Sequence, residues 1–174
     1  MFQYIGEKQG ARSQAVTTAE LKSQLSLIDA DDTFLASLIM AAQGAVEAET
    51  RRLLTSREIS LCYRGRGSVL SLDVSPVIEL TGVTVDGVAL EGCEVSAYGL
   101  KPTLTFPQEV SGEVVVTLTA GHSENEAAPP ELIQVVKMLA ADMYEHREAT
   151  AEKSLTENRN YRRIIDMHAV IEVS

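Results

Sequence analysis

Residues 32–54 read DTFLASLIMAAQGAVEAETRRLL, and this stretch decides the fold. Phe34, Leu35, Leu38, Ile39, Ala42, Val46 and Leu53 fall at three- and four-residue steps, which lines one face of an α-helix with apolar side chains. Ala36, Ala41, Ala45 and Ala48 raise helix propensity and permit close approach of a neighbour. Asp31 and Asp32 at the start and Arg51 and Arg52 at the end suit the helix macrodipole. The pattern predicts a helix over 32–54.

On the N-terminal side, Ile28-Asp29-Ala30-Asp31-Asp32 breaks the chain, and Asp31 or Asp32 supplies the cap. Before it, Thr17-Thr18-Ala19-Glu20 has capping-box spacing, so a short helix over 17–27 is expected, with Leu21 and Leu25 one turn apart. Residues 1–16 mix Gly, Gln, Lys and Ser without a period and read as an N-terminal arm.

On the C-terminal side the texture changes. Residues 57–119 are rich in Val, Leu, Thr and Ser and are punctuated by Gly and Pro. Short strands are expected at Ile59–Tyr63, Val69–Leu72, Ile78–Val85, Glu94–Ala97, Thr103–Phe106 and Glu113–Leu118. Asp86-Gly87 signals a tight hairpin, and Gly65 with Gly67 marks another turn. Pro129-Pro130 then opens a second amphipathic helix over 130–148, striped by Leu132, Ile133, Val136, Leu139, Ala140, Met143 and Tyr144. Residues 150–160 read as a linker, and the apolar stretch 161–173 has no internal partner in sequence, which makes 150–174 a linker and docking tail. The expected class is α+β: a helical core over 17–149 that carries a β-rich antiparallel insertion.

Composition narrows the function. Hydrophobic residues make up 45% and charged residues 23%, as in ordinary globular chains. Lys and Arg number 15 against 25 Asp and Glu, a net charge of −10 that argues against general nucleic-acid binding. No apolar run approaches the roughly 20 residues a bilayer-spanning helix needs, and no secretory signal is visible. Cys62 and Cys93 have no CxxC context and read as reduced thiols in the cytoplasm.

Chemistry does not emerge. From Asp29, a calcium loop would require Gly and a carboxylate where Phe34 and Met40 stand. His122, His146 and His168 are scattered, without metal-ligand spacing. Tyr63-Arg64-Gly65-Arg66-Gly67-Ser68 lacks the spacing of a phosphate loop and reads as a basic hairpin tip. GxSxG and GxGxxG do not occur. The carboxylates show no two environments that would split a general acid from a general base. Neither enzymatic activity nor a cofactor or metal is expected.

The layout carries a resemblance. Thr17–Leu54 resembles the opening of the head–tail connector (head-completion adaptor) proteins of tailed bacteriophages and prophages. That family opens with a short helix bearing a Lys-x-x-Leu step, here Lys22 to Leu25. After an acidic break comes a long Ala-rich helix ending in a Glu and an Arg, places taken by Glu47 and Arg52. Thr119-Ala120-Gly121-His122, Pro130-Glu131-Leu132-Ile133 and Tyr144-Glu145-His146-Arg147-Glu148 are similar to the family's strand, Gly-aromatic loop, Pro-Glu-led helix and Tyr-Glu-x-Arg-Glu end. His122 stands where an aromatic is usual. The family's Leu-Leu-x-Pro-Tyr-Arg-like tail is matched only by Ile164-Ile165-Asp166-Met167-His168, without the Pro.

The resemblance implies a homo-oligomeric ring at the virion head–tail junction, formed by subunits present beforehand in the host cytoplasm. Its partners would be the portal protein above and the next connector or a tail protein below. DNA would pass through the channel without sequence-specific binding. The assembly residues it implies are Glu47, Arg52, Tyr144, Arg147, Tyr161, Arg162, Arg163, Ile164 and Ile165. Glu47 and Arg52 have two readings: bonds that tie the long helix to a neighbouring one, or a pair of solvated charges. The alternative for the whole chain is another phage structural or ligand-binding module that uses its β-insertion.

Overall fold

The Thr17 hydroxyl accepts from the Glu20 amide at 3.2 Å, and the Glu20 carboxylate accepts from the Thr17 amide at 2.9 Å. This reciprocal cap opens helix α1, Thr18–Leu25, which Ser26 ends in the left-handed conformation. Asp31 caps helix α2, Asp32–Thr50, by accepting from the Thr33 amide at 2.8 Å. The helix stops at Thr50 rather than Leu54. Arg51 turns left-handed at φ 56°, and Leu53 and Leu54 leave the helix to be buried instead. Helix α3 is Pro130–Glu145 and helix α4 is Arg159–His168.

This computed structural model describes residues 1–28, 30–96, 101–123, 126–145 and 159–169. The expected last turn of the 130–148 helix, and the linker up to 158, lie outside them. The chain divides into two compact units, Met1–Ser13 with Thr55–Ser123, and Gln14–Leu54 with Glu124–Ser174.

The helical unit is built on one apolar cluster. Leu21 of α1, Leu35, Ile39, Ala42 and Val46 of α2, and Leu132, Val135, Val136 and Ala140 of α3 are all fully buried in it. Each large aliphatic side chain so placed contributes about 1.5–3 kcal/mol. Ile165 of α4 joins the same cluster at 2% exposure, with Tyr161 and Ile164 packed against it. The expectation that the terminal apolar stretch lacks an internal partner is therefore corrected for residues 161–169, while 170–173 lie outside the described residues. Tyr161, Ile164, Ile165 and His168 recur at helical steps, and that face closes over the unit's own core.

The second unit is a six-stranded antiparallel sheet. Its strands are β1 (Phe2–Gln9), β2 (Arg57–Ser71), β3 (Val77–Val85), β4 (Val88–Ala89), β5 (Glu94–Ser96) and β6 (Thr103–Ala120). The order is β1-β2-β6-β3-β4, with β5 paired to the start of β6. Alternate residues Ile59, Leu61 and Tyr63 on β2 and Val114, Val116 and Leu118 on β6 face the core. The class is thus α+β, as the sequence predicts.

Two expectations change here. The N-terminal arm is a strand over Phe2–Gln9, paired with β2 from Phe2↔Gly65 to Gln9↔Ile59. Gly65 and Gly67 do not turn the chain; they lie within one long strand that merges the two expected there, and β6 merges two more. A Cβ on Gly65 would collide with the Met1 carbonyl and the Phe2 backbone, so this glycine admits β1 rather than a turn. Asp86-Gly87 does make the hairpin, with both residues at positive φ.

Candidate assembly surfaces

The implied assembly residues fall into three groups. Glu47 is only 5% exposed, and its Oε1 accepts from Gln43 Nε2 at 3.1 Å and from the Leu54 amide at 2.9 Å. The solvated-charge reading therefore does not hold for Glu47. Arg52 is half-buried, and its Nε donates to the His168 carbonyl at 2.9 Å, which ties the end of α2 to the last turn of α4. Burial holds the Arg52 guanidinium below its usual pKa. Glu47 and Arg52 thus act within the helical unit, on the loop after α2 and on the terminal helix.

Aromatic residues form the second group. Tyr144 packs against Phe34 with ring centroids 6.3 Å apart and the rings tilted at 49°. The Tyr161 hydroxyl donates to Glu49 Oε1 at 3.0 Å. Burial, then the Glu49 hydrogen bond and charge, push the Tyr161 phenol up to about 12.

The third group is the exposed side of α4. Arg162 approaches Glu49 at 3.9 Å and Asp166 at 3.5 Å, while Arg163 and Met167 face solvent. Arg162, Arg163, Asp166 and Met167 line a shallow depression. Ile164 and Ile165 point the other way, into the helical core. Arg147 lies outside the described residues.

Arg64 and Arg66 do not form a free basic hairpin tip. They sit in mid-strand, and Glu113 and Glu109 of β6 pair with them at 2.9 Å, Arg66 through two parallel bonds. Burial of the nearby Tyr63 ring raises the pKa of its hydroxyl, which accepts from the Asp73 amide at 3.1 Å.

Sequence reasoning missed the outer strand β1, while it expected β3 from Ile78 onward. Ile5 and Tyr4 on β1 are 51% and 42% exposed, and Ile78 on β3 is 49% exposed. The signal was present in FQYIGEKQ, where Phe2 and Tyr4 alternate with polar Gln3 before Ile5. Among the described residues no three His, Cys, Asp or Glu gather into a metal-holding group. No helix among the described residues is long and apolar enough to cross a membrane.

No protein-family model matches the chain, and no curated protein matches it. Solved structures do. A chain of the virion of the native gene transfer agent (GTA) particle superposes with a TM-score of 0.82 at 22% identity, over 98% of both chains. Chains from the neck of the empty GTA particle, computed with C6 symmetry, and from the neck of the native particle, computed with C12 symmetry, each give a TM-score of 0.79 at 22% identity, again over 98% of both chains. From end to end, the chain has the fold of these particle components.

Proposed function

We propose that this chain is a non-enzymatic structural subunit of the neck of a phage-like particle. It assembles as a ring under the portal at the head–tail junction, extends the DNA channel and presents a platform to the next connector or a tail protein. The observation that carries this reading is the fold likeness to neck components, which runs over 98% of both chains and so includes the helical unit, the sheet and the terminal helix. The net charge of −10 supports it, because a negative wall does not hold passing DNA. The exposed face of α4 supports it as well, since Ile165 anchors the helix while Arg163 and Met167 remain available to a partner.

Cryo-EM of particles carrying the cognate portal, with and without this protein, tests the reading. A closed ring of added density at the neck is expected. A protein that never binds the portal, and whose removal leaves complete and infectious particles, would sink it.

A further inference from the structure

The sheet order leaves two backbone edges open among the described residues. One is the outer side of β1. The other is β3 over 77–82, because β4 pairs only with Thr84 and Val85 and the Leu90 amide reaches the Val83 carbonyl at 2.9 Å. Open edges invite a further strand, and both carry the usual protection in the form of bulges. The register slips between Tyr4 and Gly6 on β1, and between Val77 and Glu79 on β3. Each slip leaves an isoleucine without a ladder partner, and Ile5 and Ile78 are about equally exposed, at 51% and 49%.

The charges beside these residues are opposite. Lys8 on β1 and Glu79 on β3 are exposed, and neither has an ion-pair partner among the described residues. Glu7, the other charge on β1, already accepts from Gln9. One edge therefore offers isoleucine and a free cation, and the other offers isoleucine and a free anion.

We propose that these edges are the mating surfaces between consecutive copies of this chain. The β1 edge of one copy, with Ile5 and Lys8, lies along the β3 edge of the next, with Ile78 and Glu79. The occupant is a second copy because the two complementary edges belong to one sheet and stand at its opposite ends. Joining one pair always leaves one edge of each kind free, so the contact repeats. A contact between two different patches closes into a ring when the rotation fits. A two-fold dimer through β1 would bring no Glu79 to Lys8 and would leave the β3 edge uncovered. The bulges keep any shared ladder short, so side chains carry most of the contact. The proposal rests on the ring-subunit reading above and adds the surfaces that make the ring.

Paired cysteines test it. The variant carrying both Ile5→Cys and Ile78→Cys is assembled on the cognate portal, oxidised and run on a denaturing gel. A ladder of covalent multimers is expected, while each single variant gives none. An intact ring by cryo-EM with no ladder overturns the edge pairing and leaves the ring reading standing. Failure of the unsubstituted protein to form a ring overturns both. Charge exchange is the second arm: Lys8→Glu should raise the concentration for half-assembly about fivefold, and adding Glu79→Lys should restore it. A double variant no better than Lys8→Glu alone would count against the contact, provided both melt at the parental temperature.

Discussion

Gln43 and Glu47 sit one turn apart on α2 and are joined by a 3.1 Å hydrogen bond from Gln43 Nε2 to Glu47 Oε1. Both are nearly inaccessible, at 0% and 5% exposure. Each also holds backbone: Gln43 Oε1 accepts from the Ala15 amide and Glu47 Oε1 from the Leu54 amide, both at 2.9 Å. Two polar side chains thus fix the chain where it enters the helical unit and where it leaves. The bond from the Leu54 amide is buried, so removing Glu47 strands that amide as well as Gln43 Nε2. Glu47→Ala should cost about 1–3 kcal/mol of stability, read from the urea midpoint. Glu47→Gln keeps an acceptor and should lose less. An unchanged midpoint for Glu47→Ala would dismiss this role.

Arg52 is expected to act on α4 rather than on the whole unit. Its Nε–H donates to the His168 carbonyl at the C-terminal end of α4, where carbonyls have no donor within the helix. Arg52→Ala should therefore speed amide exchange in the last turn of α4, with a global cost of about 1 kcal/mol. Equal protection of α4 in the variant and the parent would refute this.

Gly112 of β6 is constrained by both its backbone and its surroundings. Its φ is +130°, and an added Cβ would collide with the Asp86 carboxylate, whose Oδ1 accepts from the Glu113 amide at 2.8 Å. Gly112→Ala should destabilise the protein by about 1–3 kcal/mol through backbone strain and displacement of Asp86. Combining it with Asp86→Ala should cost less than the sum of the two singles, since one clash is then removed. Strict additivity in thermal melts would contradict the collision.

Glu20 makes stability depend on pH. The Lys137 hydrogen bond at 2.8 Å, then the bonds from Thr17, lower its pKa from 4.5 to about 2. A depressed carboxyl contributes fully above its unfolded pKa, and the contribution is lost as pH falls through the folded value. The loss should therefore lie between pH 4.5 and about 2. Glu20 is 47% exposed at its side chain, so solvent screening limits the effect to under about 1 kcal/mol. Lys137→Met should flatten the stability profile in that window; a profile of unchanged slope would argue against the pair.

Local signals were legible where a residue's role depends on near neighbours. Thr17 and Glu20 announce their cap, Asp31 its helix, and Asp86-Gly87 its hairpin, because each acts within four residues of itself. Gly65 and Gly67 misled for the converse reason. A glycine that frees a turn and a glycine that makes room for another strand read alike until the other strand is in place. The assembly residues divide the same way. Tyr161 and Ile165 were visible as an apolar stretch, but whether they face a partner or their own core depended on α2 and α3.

By itself, the sequence determined the α+β class, the order of helices around a strand-rich middle, and an acidic surface. Periodicity, capping and net charge are properties of the chain read along its length. Only the tertiary structure decided that the first residues form an edge strand, that the terminal helix closes over its own core, and that Ile5 with Lys8 and Ile78 with Glu79 occupy opposite edges of one sheet. The physical reason is separation. These relationships join residues far apart in sequence, and no local pattern records which partner a strand edge or an apolar helix face finally meets.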